Sequence, residues 1–129
     1  MFKYIKTIHS HTVAETSRRA VDPSMTIPSG TICQINDGLL THACDPGKAY
    51  YLVIEEKKCD DGKRELDCIR LLPGMMLIGT SEFDAASAMI GENCSFTTDN
   101  YDQYTLLADG GSIAEIVETD GQHVTFIIH

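Results

Sequence analysis

Gly30-Thr31-Ile32-Cys33-Gln34-Ile35-Asn36-Asp37-Gly38-Leu39-Leu40-Thr41-His42 decides the class of fold. Two β-prone runs, 30–36 and 39–42, flank an Asp-Gly pair. A two-residue type I′ turn needs positive φ at both central positions, which Asp tolerates and Gly accepts freely. The stretch reads as a β-hairpin. The same punctuation recurs at Asp61-Gly62, Asp109-Gly110 and Asp120-Gly121, with further breaks at Ser29-Gly30, Pro46-Gly47 and Pro73-Gly74. Turn signals at this density leave little room for long helices.

Working outward, residues 49–56 hold Tyr50, Tyr51, Leu52, Val53 and Ile54, a continuous apolar run typical of a strand covered on both faces. Residues 57–63 read as a charged hairpin tip, and 64–72 return as a strand with Leu66 and Cys68 on one side. Met75–Ile78 reads as a short buried strand. Residues 112–119 and 123–128 alternate cleanly and form a closing hairpin. One segment breaks the pattern. Ser81-Glu82-Phe83-Asp84 matches a capping box that opens Ala85–Ile90, and Gly91 supplies a stop, so a short helix is expected. The expected fold is mainly β, a small barrel or sandwich with one short α-helix. Residues 23–129 form a single β domain, and residues 1–22 an N-terminal arm or edge strand.

The chain has 129 residues, 10 Lys+Arg and 19 Asp+Glu, a formal net charge of −9. That length suits one domain with a core sufficient for folding. The charge is uneven: residues 1–22 are slightly cationic through Lys3, Lys6, Arg18 and Arg19, and no Lys or Arg follows Arg70. An acidic body argues against nucleic acid as a partner. No apolar run nears the ~18–20 residues of a membrane span. The start, Met1–Lys6, builds no apolar signal-peptide core, so no signal peptide is expected. The N-terminal segment has two readings. It pairs within its own sheet, or Phe2–Ile8 adds as a strand to a partner while the four cations are drawn to an acidic surface.

Cys33, Cys44, Cys59, Cys68 and Cys94 are odd in number and contain no C-x-x-C spacing, so reduced, metal-free thiols are expected. His42 and Cys44 alone are too few for tetrahedral zinc. Gly62-Lys63 lacks the earlier glycine and the following Ser or Thr of a phosphate loop. Asp99-Asn100-Tyr101-Asp102 lacks the order of a calcium loop. Glu55-Glu56 and Asp60-Asp61 sit at a tip where nothing is expected to bury them, so no pKa shift suits them to acid–base work. No catalytic residue, metal ligand or cofactor loop emerges.

The order of segments carries more than any single residue. Ile27-Pro28-Ser29-Gly30-Thr31 leads into Asp37-Gly38-Leu39-Leu40. Arg70-Leu71-Leu72-Pro73-Gly74-Met75 follows the apolar strand, and Gly110-Gly111 precedes the closing hairpin. This layout, over about residues 24–128, resembles the decoration or cement proteins of tailed-phage heads, where an I-P-x-G-T opening, a D-G-x-L hairpin, a P-G-M return and a G-G turn recur. The five cysteines and the cationic N-terminal segment are not required by that pattern. The resemblance implies a non-enzymatic bacteriophage structural protein, made in the host cytoplasm, that binds the outside of the capsid. It implies a homo-oligomer, most readily a homotrimer, whose partner is the major capsid protein. The expected capsid-binding residues are Phe2, Lys3, Tyr4, Lys6, Arg18 and Arg19, with no cofactor, nucleic acid or membrane involved. The alternatives are a tail or neck component, or a small β-barrel ligand-binding protein or enzyme using His42, Cys44 and His123.

Overall fold

A computed structural model describes residues 2–7, 15–41, 47–85, 90–98, 104–107 and 112–129. Among them the chain is all β: β1 Phe2–Thr7, β2 Thr16–Ala20, β3 Ile32–Asn36, β4 Leu39–Thr41, β5 Tyr51–Val53, β6 Glu65–Arg70, β7 Met75–Ala85, β8 Asn93–Thr98, β9 Tyr104–Leu107, β10 Ala114–Thr119 and β11 Gly121–Ile128. The strands form two sheets, every pair antiparallel, in the orders β1-β7-β11-β10-β8-β9 and β2-β6-β5-β3-β4. Neither sheet closes into a barrel. The chain divides into two compact units, Ala14–Leu71 with the five-stranded sheet, and Phe2–Val13 plus Leu72–His129 with the six-stranded one.

In the five-stranded unit the Asp37-Gly38 hairpin forms as its sequence dictates, with φ of 50° and 79° at the two central residues and Ile35 opposite Leu40. Val21, Ile27, Cys33, Leu40, Tyr51, Val53, Leu66 and Cys68 make its core. Strand β5 is buried at all three residues, as its unbroken apolar run requires. Leu52 lies in a row with Ile32 and Ile69, on the opposite side from Tyr51 and Val53. The two edge strands, β2 and β4, approach one another without pairing.

The segment 57–63 is not simply a solvated tip. Ile27 and Lys57 exchange both backbone hydrogen bonds, at 2.9 and 2.8 Å, which draws Lys57 under the chain until it is 0 % exposed. A buried ammonium needs a counter-charge and acceptors. Lys57 Nζ donates to Asp61 Oδ1 at 2.7 Å and to the Lys58 carbonyl at 2.9 Å. Asp61 also accepts from the Lys58 and Lys63 amides, at 2.8 and 2.9 Å. Four donated hydrogen bonds, two of them to one loop carboxylate from backbone, make this a built corner.

In the six-stranded unit β1 is an edge strand on β7. Phe2 is 6 % exposed. Its ring lies edge-on to Phe96 and Phe126, with centroids 5.5 and 5.6 Å away. Such T-shaped contacts place the positive ring edge against the negative face. Phe2 reaches that position only because residue 79, its cross-strand partner, is glycine. A Cβ built on Gly79 would sit 2.6 Å from the Phe2 ring.

The expected helix is not present among the described residues. Ser81–Ala85, the capping-box stretch, continues β7, whose backbone pairs Thr80 with His123 and Ala85 with Gly121. Residues 86–89 lie outside the described residues. Ser81–Asp84 is thus extended, while most of the helix body expected over Ala85–Ile90 falls on those residues.

Two outcomes follow. Phe2→Ala should cost ~3–5 kcal/mol in denaturant unfolding, and Gly79→Ala ~1–3 kcal/mol. The double variant should lose less than the sum, because deleting the ring removes the clash. Strict additivity would place the Phe2 ring elsewhere. The second outcome concerns acid. The Lys57 ammonium and the Lys58 and Lys63 amides hold the Asp61 carboxyl well below its usual range. The Ser24 amide and hydroxyl lower Asp22. A depressed folded pKa stabilises the native state above the unfolded value, and that stability is lost as pH falls through the folded value. Unfolding midpoints should therefore drop below pH ~4, and Asp61→Asn should lower stability at neutral pH while flattening this acid limb.

Candidate functional site

The six residues expected to meet a partner fall on two edge strands in different units. On β1, Phe2 is committed to its own core. The Tyr4 hydroxyl is 2.7 Å from Thr7 Oγ1 along the same strand. Lys3 and Lys6 are exposed. On β2, Arg18 is held by carboxylates of its own unit, with Asp67 at 3.0 Å, Glu65 at 3.4 Å and Glu55 at 3.6 Å. The Arg19 guanidinium lies 5.4 Å from the Tyr51 ring centroid, a cation–π placement. Arg18 and Arg19 thus have partners within the chain. Lys3 and Lys6 form no ion pair among the described residues.

A second feature lies on the six-stranded sheet. Ile78, Glu118, Thr119, Asp120, His123 and Thr125 line a shallow cleft of about 170 Å³. It exists because the β10–β11 hairpin turns over its own carboxylate: the Asp120 amide donates to the His123 carbonyl at 3.1 Å, and Asp120 Oδ1 accepts the His123 amide at 2.8 Å. The same oxygen is 3.2 Å from His123 Nδ1. Two carboxylates and two threonines around a floor of Ile78 suit an organic ammonium, because its charge meets acid and its stem meets hydrocarbon. Of the alternative ligand set, His123 belongs to this cleft, while His42 and Cys44 lie outside the described residues.

Among the described residues, no three His, Cys, Asp or Glu side chains gather as metal ligands. The acidic pairs offered for acid–base chemistry include Asp61, whose pKa moves down, the wrong direction for a general acid near neutrality. Cys33, Cys59, Cys68 and Cys94 take part in no disulfide, and Cys44 lies outside the described residues. Burial pushes the Cys33 thiol up to about 12 and raises Cys68. Such thiols pack as small hydrophobes and resist ionisation. Asp99–Asp102 and the Gly110-Gly111 turn also lie outside the described residues.

Comparison with protein-family models, with curated proteins and with solved structures finds no match. The features a sequence reading passes over are the buried Lys57–Asp61 corner and the Asp120–His123 cleft. The second has a signal in hindsight: Asp and His three apart across a Gly at a hairpin end.

Thiol chemistry gives a direct check. At neutral pH an alkylating reagent should modify Cys59 quickly, and Cys33, Cys68 and Cys94 only on unfolding. Rapid native labelling of Cys33 by peptide mass mapping would contradict its burial.

Proposed function

We propose that this chain is a non-enzymatic virion structural protein that binds the outside of a tailed-phage capsid and stabilises it. The observation that supports this reading most is where the motifs of the resemblance lie in an all-β body. In Ile27–Thr31, Ile27 pairs with Lys57, Gly30 N donates to the Val53 carbonyl at 2.7 Å, and Thr31 Oγ1 closes on the Pro28 carbonyl at 2.7 Å. In Asp37–Leu40 the turn delivers Leu40, fully buried, to the core. In Pro73–Met75, Gly74 takes φ of 88° and donates to the Ile128 carbonyl at 2.8 Å, while Met75 N closes on Leu72 O at 3.2 Å. Each motif residue does a corner's work, which is what a rigid β body needs.

Docking is assigned to the N-terminal strands. The outer edge of β1 offers backbone groups for strand addition. Lys3 and Lys6 carry the salt-sensitive attraction to an acidic shell, with Arg19 and Arg18 secondary because both already have partners. Phe2 and Tyr4 act by holding β1 in place. The partner is the major capsid protein, and the decorating species is a homo-oligomer.

The test is co-sedimentation of the folded protein with assembled shells of the capsid protein encoded alongside it, followed by imaging of the particles. Bound density on the outer surface is expected. Lys3→Ala/Lys6→Ala should weaken binding several-fold at low salt and little at ~1 M, where the Debye length is ~3 Å. A folded protein that leaves such shells bare at every salt concentration would overturn the reading.

A further inference from the structure

The register of the six-stranded sheet orders its charges. Lys3 pairs with Ile78, Ile78 with Thr125, and Thr125 with Glu118. One row further, Lys6 pairs with Met76, Met76 with Ile127, and Ile127 with Glu115. Directly paired residues point to the same side of a sheet. Both rows therefore lie on one face, opposite the face that carries Leu77, Phe126 and Ile116 into the core. Each row begins with lysine on β1, crosses apolar or neutral residues on β7 and β11, and reaches glutamate on β10; the second row continues from Glu115 to Asn93 on β8.

Two irregularities create this order. Strict alternation from Lys3 would send Lys6 to the core side, and alternation from Glu115 would send Glu118 there too. A register shift between Tyr4 and Lys6 returns Lys6 to the outer face. A second shift between Ile116 and Glu118 does the same for Glu118. Bulges re-aim side chains in this way. Lys3, Lys6 and Glu118 are exposed, and Met76, Ile78, Thr125, Ile127 and Glu115 are half-buried. None of the four charged groups has an ion-pair partner among the described residues. Lys3 and Lys6 are also the only cations in the sequence of this unit, against nine acidic residues.

We propose that this face pairs with the same face of a second copy about a two-fold axis. The occupant is set by charge. A two-fold axis parallel to the strands, midway between β7 and β11, turns the lysine strand β1 of one copy over the glutamate strand β10 of the other, three strand spacings or about 14 Å across. It also keeps the rows aligned: Lys3 meets Glu118, Lys6 meets Glu115, Ile78 covers Thr125 and Met76 covers Ile127, each contact made twice. A two-fold axis across the strands would set lysine over lysine. The interface is isologous and closes on itself, with a half-buried apolar stripe inside a charged rim. The cleft beside Glu118 and Asp120, floored by Ile78, lies where the Lys3 ammonium of the other copy arrives. The pairing goes beyond the virion reading and does not rest on it. Lys3 and Lys6 cannot face a second copy and a shell at once, so pairing competes with docking.

Sedimentation of the pure protein, with no capsid present, tests this. A dimer is expected at low salt, weakened at ~1 M. Lys3→Glu/Lys6→Glu and Glu115→Lys/Glu118→Lys, each checked for native circular dichroism and melting, should each weaken self-association roughly tenfold or more. An equimolar mixture of the two variants should restore the dimer, because every charged strand again meets its opposite. A monomer at all concentrations, a trimer, or association indifferent to both charge reversals would overturn the proposal. If either variant fails to fold, zero-length amine–carboxyl cross-linking of a mixed isotopically labelled and unlabelled wild-type sample gives the answer. Lys3–Glu118 and Lys6–Glu115 links between copies are expected, and links confined to single copies would overturn it.

Discussion

The Phe2 ring over the bare Cα of Gly79 is the contact on which the six-stranded unit depends. It decides that β1 is a component of the sheet. A detachable arm has to leave without cost to the core, yet here the second residue of the chain fills the space among Phe96, Phe126 and Gly79. Burying a phenyl ring contributes roughly 1.5–3 kcal/mol, which exceeds what exposed lysines supply to their own sheet. The aromatic anchor therefore fixes β1 in register, and the register in turn fixes where Lys3 and Lys6 lie. Hydrophobic packing places the charges, and the charges then have a definite surface on which to act.

The five-stranded unit solves a different problem with Lys57. Its β5–β6 connection is rich in charge, and charge near a core is costly unless paired and hydrogen-bonded. Pairing with Ile27 along the backbone forces residue 57 inward, and Asp61 arrives four residues later to receive the ammonium. Because Asp61 also caps two backbone amides, one conformation of the loop satisfies the ammonium, the carboxylate and both amides at once. Joint satisfaction of this kind specifies a loop shape more sharply than apolar contact does.

Much of the architecture was legible wherever the local signal and the tertiary demand agreed. Asp37-Gly38 asks for positive φ twice, and the hairpin grants it. The unbroken apolar run at Tyr51–Val53 asks for cover on both faces and has it. Legibility failed where they disagreed. Ser81–Asp84 carries a helix-capping pattern, but β7 runs on through it to Ala85, which pairs with Gly121 on β11. Strands β8 and β9 carry little sequence signal, because Asn, Ser and Thr give little alternation. Their pairing, Phe96 with Leu106 and Ser95 with Leu107, is a product of the sheet that receives them. The burial of Lys57 has no sequence signal, since a formal charge in a run of charges predicts exposure. The face rows were unreadable for a stricter reason: period-two counting places Lys6 and Glu118 inside, and only bulges reverse it.

Bulges on an edge strand usually serve as protection, since they spoil the flat template that another strand would join. At β1 the shift falls between Tyr4 and Lys6, which leaves Phe2–Tyr4 in regular register, and its effect is a different one. It exposes Ile5 to 45 % and brings a second lysine to the outer face beside the first. A regular β1 would present one lysine outward and one inward, and a buried, unpaired ammonium there would oppose the aromatic cluster. The irregularity thus relieves the core and concentrates cationic charge by the same step. The bulge on β10 mirrors it, sparing the core a carboxylate and adding it to the outer face. A sheet whose two opposite charges were each excluded from the interior by a bulge ends with those charges three strands apart on one face. Its surface pattern therefore follows from the demands of its core.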